Sequence, residues 1–466
     1  KSETEAIPVC GQHLLSEEEV KPSATKMGRT ASASENALLY LEKFAKQQRC
    51  VIGLILGQIC STQDDINIVH FAKTPEEKFE PVGDEFGGKS EELNLKTVSE
   101  SWVADHAKHV TRMLPGGMFV LGIFVVSPDD IFSAGPVASK LKSILALINK
   151  TISANKYMNG SPVDCSERLI IHMSHTMKVT AKSIELAQAG FFKPIETNFN
   201  SKSNWLQLEC YYEFDELYPV VLKNNTGISV KDQFQEILEA AHKSIESSVV
   251  ILDGKLRDST DKLESQFTKP KSKSGAKSDR DEEIQTAEII FYYHTLFQES
   301  KIPDSVEYME CEGTTHFSGI VASRIFLNSK ATIEQAITAV KQDIIRSLAA
   351  RFTMHCDALI DDSLLPEGKK IMCFNEPPRR VYIRLPELGD GKVFLCDYLF
   401  PGESPVEALV SVKEMLDANI TEEDVICNVE TPAGIVTHNK LCKREIEEPK
   451  PFCLENQQHP LLHYIP

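Results

Sequence analysis

The stretch Cys50-Val51-Ile52-Gly53-Leu54-Ile55-Leu56-Gly57-Gln58-Ile59 decides the fold, because it is apolar almost throughout and carries no charge. A short apolar run of this kind predicts a buried strand. A second run, Met118 to Val126, follows the helix-ending residues Pro115-Gly116-Gly117 and predicts another buried strand. These two strands form the predicted centre of the first half of the chain.

The segments around these strands alternate between helical and strand patterns. Leu38, Leu41 and Ala45 recur at helical spacing behind the capping residue Ser34, and Ile66 to Phe71 predicts a hairpin partner for the first strand. Further helices are predicted around residues 102–110 and 131–149, and strands around 168–172 and 177–181. This succession indicates a first α/β domain.

A second block begins at Trp205 to Cys210, whose alternation predicts a strand. Its longest helix is predicted from an apolar stripe that we interpret as core: Ile333, Ile337, Val340, Ile344, Leu348 and Phe352. The other predicted elements are helices at 232–245 and 404–418 and strands at 249–252, 319–327, 380–385 and 392–399. The fold class predicted for the whole chain is α/β, of the α+β type.

We divide the chain into two domains and two tails. Residues 1–26 and 426–466 lack a periodic pattern and are predicted to be disordered tails. The first domain spans 27–200 and the second spans 201–425. A flexible insertion is predicted near 255–285, because Lys269 to Lys277 is rich in lysine, serine and glycine.

The composition argues against a nucleic-acid partner. The sequence has 50 Lys and Arg residues and 68 Asp and Glu residues, and its formal charge of -18 repels phosphate backbones. Its 12 cysteines occur singly, several of them in apolar runs, which favours reduced thiols. The chain contains no apolar run of about eighteen residues, so no membrane span is predicted within it.

One motif points to an alternative function, nucleotide hydrolysis. Residues 83–90 fit the phosphate-binding pattern GxxxxGK[ST] through Gly83, Gly88, Lys89 and Ser90, and Asp253 ends an apolar stretch that resembles a magnesium-binding strand. A phosphate-binding loop must follow a buried strand, whereas residues 76–82 are charged and contain a proline. We therefore interpret 83–90 as a surface loop and predict no cofactor.

Histidines and cysteines yield no predicted catalytic or metal site. Four pairs have suitable residue types: His106 with His109, His172 with His175, His355 with Cys356, and Cys396 with Asp397. Neither histidine pair has an evident third ligand. Adjacent residues on a helix point about 100° apart, so His355 cannot act as the base for Cys356. We interpret the histidines and both cysteines as partly or fully buried structural residues.

Three strings carry a resemblance to a known family: Val51 to Gln58, Arg112-Met113-Leu114-Pro115-Gly116-Gly117-Met118-Phe119-Val120-Leu121-Gly122, and Val393-Phe394-Leu395-Cys396-Asp397-Tyr398. They resemble the odorant-response abnormal protein 4 family, and the likeness runs from Met27 to about Ile420. It implies a first domain similar to the MPN fold of zinc isopeptidases. Those enzymes bind zinc through an H-x-H pair that this sequence lacks, so the resemblance implies no metal site.

The resemblance implies an adaptor and not an enzyme. Members of this family support the maturation and trafficking of some G-protein-coupled receptors, notably odorant receptors, at the endoplasmic reticulum membrane. They also bind the ubiquitin-fold-modifier-specific protease and position it on the cytosolic face of that membrane. The resemblance implies a hydrophobic C-terminal anchor, whereas this sequence ends at Leu461 to Pro466 without such a run. We therefore expect either a truncated or spliced form, with a cytoplasmic location, or membrane attachment through a partner.

Overall fold

The computed structural model describes these residues: 29–60, 65–77, 94–133, 135–159, 167–186, 190–200, 204–220, 222–223, 226–227, 229–266, 286–292, 313–363, 376–386 and 393–430. Helices and strands are mixed throughout, so the predicted α/β class is confirmed. The predicted tail 1–26, the motif at 83–90 and the stretch Lys269 to Lys277 lie outside the described residues.

Seven strands of the first half form a closed barrel in the order β1-β3-β2-β4-β5-β6-β7. The strands are β1 (Thr30–Ser32), β2 (Val51–Cys60), β3 (Asp65–Lys73), β4 (Phe119–Ser127), β5 (Glu167–Ser174), β6 (Val179–Glu185) and β7 (Lys193–Asn198). Its helices are α1 (Glu35–Lys46), α2 (Glu100–Met113), α3 (Pro136–Ser153) and the short α4 (Lys156–Asn159). β1 closes the barrel by pairing in parallel with both β3 and β7.

The two apolar runs of the sequence are β2 and β4, which pair antiparallel as neighbours in the barrel. On β2, Val51 and Ile55 belong to a core that α1 covers, whereas Ile52 and Leu54 belong to a core shared with α2 and α3. Successive side chains of a strand point to opposite faces, so a strand covered on both faces is apolar at nearly every position. The prediction of two buried strands is confirmed.

The second half is built on a four-stranded sheet in the order β11-β12-β8-β13. Its strands are β8 (Trp205–Val220), β11 (Val249–Leu252), β12 (Thr286–Tyr292) and β13 (Gly313–Asn328), and its helices are α5 (Val230–Ser247), α6 (Leu263–Gln266) and α7 (Ile333–Ser363). Between β8 and α5 in sequence, β9 (Leu222–Lys223) pairs with β10 (Thr226–Gly227). α5 and α7 cover one face of the sheet, and the predicted apolar stripe of α7 packs there.

A third sheet returns the chain to the barrel. It has the order β15-β14-β16 and is formed by β14 (Arg379–Arg384), β15 (Phe394–Leu399) and β16 (Val425–Ile426), with α8 (Pro405–Leu416) and a 3-10 helix (Glu422–Asp424) between the last two. Leu395 and Val412 share a core with Val103 and Val110 of α2. The end of the predicted second domain thus packs against the first, and the boundary near residue 200 stays a prediction.

Glu430 differs from the disordered tail predicted over 426–466. Its side chain is buried. Its carboxylate accepts hydrogen bonds from the backbone N–H groups of Ala322 and Arg380. A buried carboxylate that receives several donors is a fixed part of a structure. The packed part of the chain therefore includes Glu430, and residues 431–466 lie outside the described part.

Candidate functional site

The glycines of the Arg-Met-Leu-Pro-Gly-Gly string lie where the barrel meets the second half. They form the loop between α2 and β4, which lies against α7. A Cβ added at Gly116 would be 2.0 Å from the carbonyl oxygen of Ala339, so only glycine permits this approach. Gly117 has a φ of 77°, which glycine adopts without strain. We call the contact region the junction: Gln58, Leu114 to Met118, Ala322, Asp343, Arg346, Arg380, Tyr382, Cys396 and Glu430.

Asp343 of α7 and Arg380 of β14 form the centre of the junction. The backbone N–H of Gly116 donates to Asp343 Oδ1 at 2.7 Å, and Arg380 donates to both carboxylate oxygens at 2.6 and 2.8 Å. Both side chains are completely buried. Burial acts to lower the pKa of Arg380, but the charge of Asp343 leads the groups that raise it well above its usual value. Each of the two buried charges is therefore neutralised by the other, and removing either one leaves its partner unpaired.

Arg346 holds the same loop through backbone oxygens. It lies three residues beyond Asp343 on α7 and is completely buried. Burial lowers the pKa of Arg346 to about 10, so the side chain keeps its charge at neutral pH. Its guanidinium donates at 2.9–3.2 Å to five carbonyl oxygens, those of Leu114, Pro115, Met118, Met158 and Asn159. These oxygens belong to the loop between α2 and β4 and to the end of α4, so Arg346 ties the two segments to α7.

Among the described residues, β13 is an edge strand of its sheet, and side chains bind its backbone at the junction. Gln58 Nε2 donates to the carbonyl oxygens of Gly117 at 3.2 Å and Phe326 at 3.4 Å, while Gln58 Oε1 accepts from the N–H of Asn328 at 3.0 Å. Ala322 accepts from the Tyr382 hydroxyl at 3.0 Å. Three backbone groups on the edge of β13, the Ala322 and Phe326 carbonyls and the Asn328 N–H, thereby gain partners. The junction joins β2, β13 and β14 through polar contacts.

Cys396 lies inside the junction and cannot act there as a nucleophile. Its thiol is completely buried, and its sulfur accepts from Arg380 Nη2 at 3.2 Å. Burial raises the pKa of Cys396 despite the opposing effect of Arg380, so the thiol stays protonated at neutral pH. A nucleophilic cysteine needs thiolate character and access. Cys396 is a core residue.

Two histidines bind the C-terminal end of α8. His106 Nε2 lies 2.8 Å from the carbonyl oxygen of Met415, and His70 Nε2 lies 2.9 Å from that of Leu416. The last carbonyls of a helix have no partner within it, so imidazole N–H groups supply donors. His106 Nδ1 also lies 3.2 Å from Thr74 Oγ1. Both ring nitrogens of His106 are occupied and cannot bind a metal.

His106 makes the stability of the fold depend on pH. Burial lowers its pKa to about 4, with the hydrogen bond to Met415 partly opposing this shift. The unfolded chain therefore binds a proton at a higher pH than the folded chain, and stability falls as pH drops from about 6.5 towards 4. From this residue we expect the free energy of unfolding to fall by about 2 kcal/mol between pH 7 and pH 5.

Urea unfolding of wild type and His106→Gln at both pH values tests this expectation. The pH-dependent fall should be smaller in the variant by about 2 kcal/mol, because only the contribution of His106 is removed. His316→Gln is the matched control, since the His316 side chain is 52% exposed. An equal fall in wild type and His106→Gln would contradict the assignment.

The other candidate pairs are not assembled into a site. His172 lies 3.1 Å from Ser127 Oγ, while His175 follows the end of β5. The ring of His355 stacks on Phe234 at 5.9 Å between centroids. In the part of the chain that the structure describes, no three His, Cys, Asp or Glu side chains are placed to hold a metal ion.

Asp253, the proposed magnesium ligand of the alternative function, lies in a turn after β11. It has a φ of 47°, its carboxylate accepts from the N–H of Glu288 at 3.0 Å, and its own N–H donates to the Glu288 carbonyl at 2.9 Å. A side chain with these bonds shapes a turn. Gly83, Gly88, Lys89 and Ser90 lie outside the described residues, so their relation to Asp253 stays a prediction.

Comparison with known proteins identifies the family. A sequence model described as "Odorant response abnormal 4-like" matches residues 53–427. The chain belongs to this family. Two of the strings that carry the resemblance, Arg112 to Gly122 and Val393 to Tyr398, fall inside the match. Gly116, which donates to Asp343 at the centre of the junction, belongs to the first of these strings in this odorant response abnormal 4-like chain.

Curated relatives of the odorant response abnormal 4-like chain align over most of its length. The Protein odr-4 homolog of Drosophila melanogaster is 27% identical over 459 residues, which cover 90% of each chain. The human homolog is 28% identical over 442 residues, or 91% of this chain and 92% of its own. The Odorant response abnormal protein 4 of Caenorhabditis elegans is 22% identical over 80% of this chain and 73% of its own.

One solved structure with a low overall similarity is UfSP from Caenorhabditis elegans. It superposes with a TM-score of 0.38 at 7% sequence identity, over 84% of this chain and 57% of its own length. The odorant response abnormal 4-like chain thus spans little more than half of that protein. A TM-score of this size does not define the fold.

Proposed function

We propose that this odorant response abnormal 4-like chain is a non-catalytic adaptor. It binds the ubiquitin-fold-modifier-specific protease, positions it at the cytosolic face of the endoplasmic reticulum, and supports maturation and trafficking of a subset of G-protein-coupled receptors, including odorant receptors. Family membership carries the proposal. The engagement of His106, Asp343 and Cys396 in packing contacts supports it, because these groups would be candidates for chemistry.

Attachment to the membrane is part of the proposal. None of the helices that the structure describes is long and apolar enough to cross a membrane. We propose that the chain reaches the endoplasmic reticulum through a partner. Cell fractionation tests both steps: the protease should leave the microsomal fraction when the chain is absent, whereas the chain should remain there when the protease is absent.

Co-purification of the full chain with the protease is the decisive test. Tagged wild type should recover the protease from cells, whereas the tag alone should not. Cys396→Ser is a matched variant, because it replaces the buried thiol by a group of similar shape. An adaptor should recover equal amounts of protease with either thiol or hydroxyl at this position. Failure of the wild-type chain to recover the protease would refute the proposal.

Receptor delivery is tested in the same cells. In cells lacking the chain, the surface level of an odorant receptor should fall, and wild type and Cys396→Ser should restore it equally. Rescue by wild type alone would indicate that the Cys396 thiol has a chemical role, contrary to an adaptor function.

A further inference from the structure

Among the described residues, helices cover only one face of the sheet of the second half. Leu208, Cys210 and Ile289 point towards α5 and α7 and are buried. Because neighbouring residues of a strand alternate, Tyr211 and Ile290 point to the opposite face. Ile290 pairs with Ile251, and Tyr211 pairs with Ala322, so these residues form a row across the four strands. We call this side of the sheet the outer face.

One end of the outer face is covered by the chain itself. The ring of Phe326 stacks on Phe394 of β15 at 5.4 Å, and Arg324 lies over the ring of Tyr382 at 5.1 Å. Trp205, at the same end of β8, is buried in the core shared with the barrel. The third sheet and the barrel thus bury the outer face up to Ala322, through apolar side chains together with the polar contacts of the junction.

Beyond Ala322 the outer face continues with large apolar side chains that remain exposed. In the row itself Ile290 is 47% exposed and Tyr211 42%; Val249 is 42% exposed two residues before Ile251 on β11, and Leu217 is 64% exposed farther along β8, beyond Glu213 and Asp215. The solvent face of an antiparallel sheet is ordinarily polar, and contiguous exposed apolar groups mark interaction sites. The exposed row directly continues the interface that the third sheet occupies. This continuity indicates that the surface of another protein binds over the exposed row.

The charges around the exposed row are mainly negative, and the one basic partner among the described residues there is His316, whose Nε2 lies 2.6 Å from Asp215 Oδ1. Glu213 and Asp215 of β8 and Glu288 of β12 are exposed on the outer face. Arg324, at the covered end, forms an ion pair with Glu209 at 2.7 Å. Among the described outer-face residues beyond Arg324, none is Lys or Arg. Complementary charges guide association, so the surface that fits here is apolar at its centre and basic at its rim.

From these observations we infer that the uncovered outer face is the docking surface for the protease, through an apolar patch of the protease rimmed by Lys and Arg. The inference rests on the proposed function. A second copy of this chain fits less well, because a two-fold contact would set Glu213, Asp215 and Glu288 against a surface of the same negative charge.

Binding of the full chain to purified protease tests the inference, with biolayer interferometry as the measurement. Tyr211→Glu with Ile290→Glu should weaken binding at least about 30-fold, as expected for loss of central apolar contacts. Glu213→Lys with Glu288→Lys should weaken it about tenfold, and added salt should weaken wild-type binding. These side chains are exposed, so circular dichroism should show unchanged thermal unfolding.

The matched control is Val406→Glu with Val410→Glu, since these α8 residues are 43% and 50% exposed on a different surface. Binding should change less than about twofold. If wild type does not bind the protease, the proposed function itself fails. If wild type binds and the Tyr211/Ile290 variant binds equally well, only the docking surface is wrong. A wild-type dimer that this variant converts to a monomer would assign the face to a second copy and overturn the inference.

Discussion

Replacement of Asp343 by Ala should lower the free energy of unfolding by about 3–5 kcal/mol, the range for removing one partner of a buried ion pair. The change leaves the Arg380 guanidinium buried without its carboxylate and leaves the Gly116 N–H without its acceptor. Both losses occur where side-chain exposure is zero, so water cannot replace the missing partner. Urea unfolding of the two proteins at pH 7 measures the difference.

Asp357→Ala is the matched control for Asp343→Ala. Asp357 lies on the same helix but is exposed, so its replacement should change the free energy of unfolding by less than about 0.5 kcal/mol. Asp343→Asn should fall between the two, because its amide oxygen can still accept from Gly116 while the charge is lost. A loss below about 1 kcal/mol in Asp343→Ala would show that the pair does not hold the junction.

The local elements could be predicted because their signals are local. The side chains of an apolar run of ten residues are all buried only in a strand covered on both faces or in a buried helix. Gly53 and Gly57 favour the strand. The Pro115-Gly116-Gly117 break separates α2 from β4 for similar reasons. These signals also locate the Pro115-Gly116-Gly117 segment of the junction in the sequence. They do not show that it contacts α7.

The junction itself could not be predicted, because its partners are distant in sequence. Asp343 and Arg346 lie on α7 away from the apolar stripe, where a polar residue ordinarily indicates a face open to solvent. In the structure α7 is buried on that side too, since the Leu114 to Met118 loop and β14 lie against it. Only the three-dimensional arrangement shows that these charges are internal.

The outer face illustrates a similar limit. The sequence predicts a strand at Trp205 to Cys210, whereas β8 continues to Val220. The extension alternates between buried and exposed residues such as Phe214 and Glu213, but Tyr211 and Leu217 interrupt the polar side with apolar groups. A solvent-exposed face is recognised in a sequence by polar residues at alternate positions. A docking surface has apolar residues at some of these positions, so a sequence pattern does not distinguish it from a buried face.

Replacement of Gly116 by Ala should destabilise the fold by about 3 kcal/mol, at the upper end of the usual cost of overpacking. The added methyl group would be 2.0 Å from the Ala339 carbonyl oxygen and 2.7 Å from Asp343 Cβ. The first of these atoms is backbone of a buried helix, so the clash can be relieved only by separating the loop from α7. That movement also lengthens the hydrogen bond from Gly116 N–H to Asp343.

Gly135→Ala is the control for this substitution, because a Cβ there meets no atom within 4 Å. Gly135 is the N-cap of α3, where alanine is less favourable than glycine, so urea unfolding should show a loss of at most about 1 kcal/mol for this variant. The double variant Gly116→Ala with Asp343→Ala distinguishes a shared contact from two independent ones. Its loss should be smaller than the sum of the single losses by at least about 1 kcal/mol, because each change disrupts the same hydrogen bond. Additive losses would mean that the loop and the ion pair stabilise the fold separately.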